Sequence, residues 1–66
     1  MNLYTTIIMS PLANGWRWRA MAYRDACLIA KPFNTHPIVI KSLRSSMRFS
    51  AREAIRIGRE LQKAAA

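Results

Sequence analysis

Trp16-Arg17-Trp18-Arg19 is the segment whose side chains are best suited to gripping another molecule. Arginine forks bind phosphates and read guanine edges, and planar aromatic rings stack on bases. Read as a strand, Trp16, Trp18, Ala20 and Ala22 face one way, and Arg17, Arg19, Met21 and Tyr23 face the other. A short chain needs the tryptophans' area in its core, roughly 150–250 Å² for each large aromatic. Arg17 and Arg19 then point outward, with Arg24 at the strand's end. A second basic group, Arg44, Arg48 and Arg52, stands around the start of a later helix. These six arginines are the candidate contact residues for nucleic acid or another partner. The whole chain supports such a surface: 11 Lys+Arg against 3 Asp+Glu give a formal charge of +8. That charge attracts nucleic acid, an anionic membrane or an acidic protein face.

Catalytic chemistry has little to work with. The acids are Asp25, Glu53 and Glu60, and His36 and Cys27 are each the only residue of their kind. Neither a nucleophile–base arrangement nor closely spaced metal ligands can be drawn from them. The two glycines, Gly15 and Gly58, form no phosphate-cradling or dinucleotide loop. We therefore expect no enzyme activity, no metal and no cofactor. A lone cysteine excludes an intramolecular disulfide, fits a reducing compartment, and reads as a small core filler. No apolar run approaches the ~18 residues of a membrane span. The start of the chain lacks a basic secretory region, so a cytoplasmic location without membrane association is expected.

The elements that would position these residues follow from local pattern. Leu3–Ser10 is rich in β-branched and aromatic residues, so a strand is expected over 3–10. Pro11 ends it, and Asn14-Gly15 is a strong turn dipeptide. A second strand is expected over 16–24 and a third over 27–31, stopped by Pro32. A fourth is available over 38–43, after a rigid Pro32–Pro37 loop that holds His36. Ser50 and Glu53 have capping-box spacing, with Phe49 as a staple, so a helix is expected over 51–65. Its apolar side carries Ala51, Ala54, Gly58 and Leu61. Gly58 there costs roughly 1 kcal/mol of helix propensity, which points to close approach of a strand or aromatic ring.

One helix over 43–63 is the competing reading. It would align Arg44, Arg48, Arg52 and Arg56, four residues apart, as a basic ridge. It also places Phe49 among charges and Ser45, Ser46 and Ser50 inside a helix, where they are weak formers. A break near Phe49 is preferred.

Gly15-Trp16-Arg17-Trp18-Arg19-Ala20 and Phe49-Ser50-Ala51-Arg52-Glu53-Ala54 weakly resemble the plant ethylene-response-factor type DNA-binding domain. That family pairs a Gly-x-Trp-x-Ala strand with a Phe-x-Thr-Ala-Glu-Glu-Ala helix start. Its layout, shared with the amino-terminal arm-binding domain of tyrosine integrases, is a three-stranded antiparallel sheet backed by a helix. The resemblance covers about a third of the chain and implies sheet-led DNA binding through Arg17 and Arg19.

The sequence thus predicts a single small α+β domain: an antiparallel sheet of three or four strands with one C-terminal helix packed on one face. Its expected role is non-enzymatic nucleic-acid binding or regulation. The alternative is a small inhibitor or adaptor, of the type bacteriophages encode, that docks a basic face on an acidic host protein. At 66 residues the core is marginal, and a homodimer through a sheet edge is a further option.

Overall fold

The computed structural model describes residues 1–65 and contains helices only: α1 (Leu3–Met9), α2 (Pro11–Ala30), a 3-10 turn (Lys31–Phe33) and α3 (Pro37–Ala65). There is no strand among the described residues, so the expected α+β sheet is replaced by an all-α hairpin. At about 1.5 Å per residue, α3 alone is about 43 Å long, close to the 48 Å length of the molecule. The short α1 and the longer α2 lie end to end along it, both antiparallel to α3.

Local chemistry explains each boundary. Asn2 opens α1, its Oδ1 accepting from the Thr5 N–H at 2.8 Å. Ser10 is extended (φ −96°, ψ 117°) and serves both neighbours. Its N–H donates to the Ile7 carbonyl at 3.2 Å, closing α1. Its Oγ accepts from the Ala13 N–H at 3.3 Å, opening α2, and Pro11 takes the first helical position, where its missing N–H costs nothing. This Ser-Pro start prevails over the Asn14-Gly15 turn signal, and both residues lie inside α2. A hairpin turn of type I′ would need positive φ at both central residues; neither glycine has positive φ, and Asn34 alone among the other described residues does.

Asn34 turns the chain at φ 54°, and the Thr35 hydroxyl donates to the Ala30 carbonyl at 2.8 Å. His36 then caps α3, its Nδ1 accepting from the Ile38 N–H at 3.1 Å. Ile38–Leu43, the optional fourth strand, becomes the first turns of α3. The strands expected over 3–10, 16–24 and 27–31 lie within α1 and α2, with Lys31 in the 3-10 turn.

Packing overrides strand propensity through a longer period. Ala13, Trp16, Ala20, Tyr23, Cys27 and Ala30 recur at three- and four-residue steps along α2. Ile40, Leu43, Met47, Ser50, Ala54, Ile57 and Leu61 do the same along α3. Two such stripes facing each other form an antiparallel seam of coiled-coil type. Its most buried positions are small: Ala13 (0% exposed), Ser50 (2%) and Ala54 (3%). Cys27 is also buried, as a core filler should be.

Ser50 therefore does not start a helix. It is a seam residue in the middle of α3, and Glu53 bonds Arg56 rather than reaching back to a cap. The tryptophans also divide. Trp16 is half-buried and meets Phe49 edge-on at 5.7 Å between ring centroids, while Trp18 is exposed, contrary to its expected core role. Gly58 does permit a close approach, but by α1. A Cβ there would stand 2.7 Å from Ile7 Cγ1 and 3.0 Å from Leu3 Cδ1. Gln62 Nε2 also holds the Met1 carbonyl at 3.2 Å.

Two substitutions test this packing. Ser50→Ala should leave thermal stability unchanged or raise it by about 0.5 kcal/mol through helix propensity; a loss of about 1 kcal/mol would restore the helix start at Ser50. Gly58→Ala gains about 1 kcal/mol of propensity but overpacks Ile7, at about 1–3 kcal/mol. The net expectation is a loss of about 1 kcal/mol. In a double-mutant cycle, Gly58→Ala should cost less when Ile7 is already alanine.

Candidate functional site

Helical geometry and ion pairing together select one surface. All three carboxylate side chains are engaged: Asp25 by Arg24 at 3.3 Å, and Glu53 and Glu60 by Arg56 at 2.9 and 3.2 Å. The remaining Lys and Arg have no acidic side-chain partner among the described residues. Six of them, Lys41, Arg44, Arg48, Arg52, Arg59 and Lys63, are exposed on α3. At about 100° per residue they fall within an arc of about 100°, and they extend about 33 Å along the helix.

Arg56 lies outside that arc, and its charge is offset locally. Its guanidinium hydrogen-bonds the Glu53 carboxylate, and this, followed by attraction to Glu53 and Glu60, raises its pKa. The same hydrogen bond holds the Glu53 carboxyl below its ordinary pKa. The basic ridge of the long-helix reading thus exists with different membership. Arg56 leaves it, and Lys41, Arg59 and Lys63 join.

Two shallow hollows lie along the ridge. Lys31, Lys41, Arg44 and Arg48 surround the one at the hairpin tip, with Thr35 and Pro37. The N-terminus of α3 lies beside it, with its first-turn N–H groups taken up by His36. Arg52, Ile55, Arg59 and Lys63 line the second, near the other end, with the paired Arg56 and Glu60 at its border. Between them, Tyr4, Met21, Ala51 and Ile55 form an apolar groove with Arg17 at its border.

The six sequence-predicted arginines are only partly brought together. Arg44, Arg48 and Arg52 are on the ridge. Arg17 lies on the same side of the hairpin but is held in place. It donates to Asn14 Oδ1 and to the Tyr4 hydroxyl, each at 3.3 Å, and sits 5.5 Å from the Tyr4 ring centroid. Arg24 is offset by Asp25. Arg19 faces away, stacked 4.7 Å over the Trp16 ring on the opposite side. Lys31, Lys41, Arg59 and Lys63 were missed, although the four-residue spacing of the α3 arginines contained the signal.

Among the described residues no three His, Cys, Asp or Glu side chains gather as metal ligands, and His36 is engaged as a helix cap. No helix among them is long and apolar enough to cross a membrane. No family model, curated protein or solved structure matches the chain. The sheet implied by the ethylene-response-factor resemblance is absent, so that resemblance lends the site no support.

The ridge burdens the isolated protein. Neighbours such as Arg44–Arg48, Arg48–Arg52 and Arg59–Lys63 are like charges at i,i+4, each unfavourable by about 0.2–0.5 kcal/mol. Adding salt should therefore raise the melting temperature by screening them. At low salt Arg48→Gln should stabilise by about 0.5–1 kcal/mol, since it relieves two such pairs. A melting temperature that falls with salt would show that attractive ion pairs prevail.

Proposed function

We propose that the protein is a non-enzymatic nucleic-acid-binding protein that holds backbone phosphates along the α3 ridge. The observation behind this reading is the row of six exposed cations with no acidic side-chain partner among the described residues. Fixed on one rigid helix, they present charge at the scale of a nucleic-acid backbone, about one duplex turn in length. Such contacts release condensed counterions and carry little sequence information. The role expected of the chain is kept here, while its contact surface moves from a sheet to a helix.

A second reading has its own support. The apolar groove of Tyr4, Met21, Ala51 and Ile55, bordered by Arg17, would suit an acidic, amphipathic segment of a protein partner. In that case the protein is a regulator or inhibitor that docks by charge and apolar contact together.

A salt titration on duplex DNA, single-stranded DNA and RNA separates the two. On duplex DNA, replacing Arg44, Arg48 and Arg52 together by glutamine should weaken binding across sequences. It should also lower the log–log salt slope by roughly 2.7, about 0.9 per phosphate contact. Arg19→Gln should change neither. Binding no tighter than about 10⁻⁴ M on all three substrates at physiological salt would remove the nucleic-acid reading. The acidic-protein reading would then stand first.

A further inference from the structure

We propose that two copies of the chain pair through the side of the hairpin opposite the ridge, forming a four-helix bundle with basic ridges on its outside. The first ground is area. The chain exposes 5021 Å², against roughly 4,300 Å² for a compact monomer of its 7.6 kDa mass. The excess, about 700 Å², approaches the roughly 800 Å² that one partner contributes to a standard protein interface. The shape agrees. A rod of 48 × 15 × 15 Å is half of a bundle, and the buried apolar residues among those described are only Ile7, Ala13, Cys27, Ala54 and Ile57.

The second ground is what this side carries. Trp16, Arg19, Tyr23, Ser46, Phe49 and Ser50 line one hollow at its centre. Phe49 is 57% exposed there although it already meets Trp16 edge-on. Leu12 and Val39 extend the apolar surface along α2 and α3, and both are exposed. An aromatic centre with one arginine and a rim of serines is the composition of interface cores, where Trp, Tyr, Phe and Arg are enriched.

The third ground is charge, and it selects a second copy as the occupant. A chain of charge +8 repels itself unless the approaching surfaces are nearly free of cations. The ridge side holds Lys41, Arg44, Arg48, Arg52, Arg59 and Lys63. By helical phase, the cations on this side are Arg19 and Arg56: the Arg19 guanidinium already stacks on Trp16, and Arg56 is paired with Glu53 and Glu60, so this side carries no unpaired row of charge. Pairing through this side keeps the two ridges apart and leaves both open to phosphate. The inference does not depend on nucleic-acid binding, because it rests on the other side of the molecule.

Sedimentation equilibrium tests it on full-length protein freed of nucleic acid by a high-salt wash, in about 0.5 M NaCl to screen the net charge. The expected mass is twice 7.6 kDa at micromolar concentration. Phe49→Glu should weaken association at least about 100-fold, because it removes the central aromatic ring and buries a carboxylate at the centre of the contact. Its circular dichroism should remain helical, since Phe49 is largely exposed in the single chain. Ile29→Glu, on the outer side of α2, should leave the mass unchanged. A single-chain mass up to about 100 μM, a mass above two chains, or a dimer broken by Ile29→Glu but not by Phe49→Glu would each overturn the proposal.

Discussion

The structure depends on two helices approaching closely because the residues between them are small. Ala13 meets the α3 seam with no exposed surface, Ser50 and Ala54 are buried beside it, and Gly58 leaves room for Ile7 and Leu3. Close packing of this kind gives good contact but removes little apolar area from water, and area is the main stabilising quantity. The larger side chains are displaced to the flanks. Trp16 and Phe49 sit on one side, and Tyr4, Met21 and Ile55 on the other. The hairpin is consequently thin, and both flanks remain partly apolar.

The same seam sets the charge. Once Ile40, Leu43, Met47, Ser50, Ala54 and Ile57 face α2, helical phase sends Lys41, Arg44, Arg48, Arg52, Arg59 and Lys63 to one edge. Glu53 and Glu60 fall elsewhere and are occupied by Arg56. No acidic side chain among the described residues pairs with that edge. Like charges this near one another destabilise the isolated helix, and an anionic partner reverses the sign of that contribution. Burial therefore demands small residues on one side of α3 and tolerates a costly row of cations on another.

Part of this was legible in the sequence. Gly58 within an apolar stripe pointed to close approach, though the approaching group is α1 rather than a strand or ring. Cys27 read as a core filler and is buried. Arg44, Arg48 and Arg52 were marked as contact residues, and they are on the ridge. The strands were misread because short windows favoured them: Leu3–Ser10 and Ile38–Leu43 are β-branched, and Trp-Arg-Trp-Arg alternates for four residues. The deciding signal was the three- and four-residue step sustained over about twenty residues of α2 and α3, which a window of six cannot show. Ser50 illustrates the same limit. Its spacing to Glu53 is that of a cap, yet a small residue at a seam position satisfies a different constraint, and tertiary packing prevails over weak propensity. Arg19 was placed beside Arg17 by adjacency in strand, and a helix carries the two to different sides.

The central claim is that α3 runs unbroken from Pro37 to Ala65, because only then do the seam and the ridge exist together. Backbone ¹³Cα chemical shifts across residues 37–65 test it directly. The structure predicts continuous helical shifts through Ile38–Leu43 and across Ser45, Ser46 and Ser50. Extended shifts over 38–43, or a break at Phe49-Ser50, would contradict the claim and return the molecule to a short helix packed on a sheet.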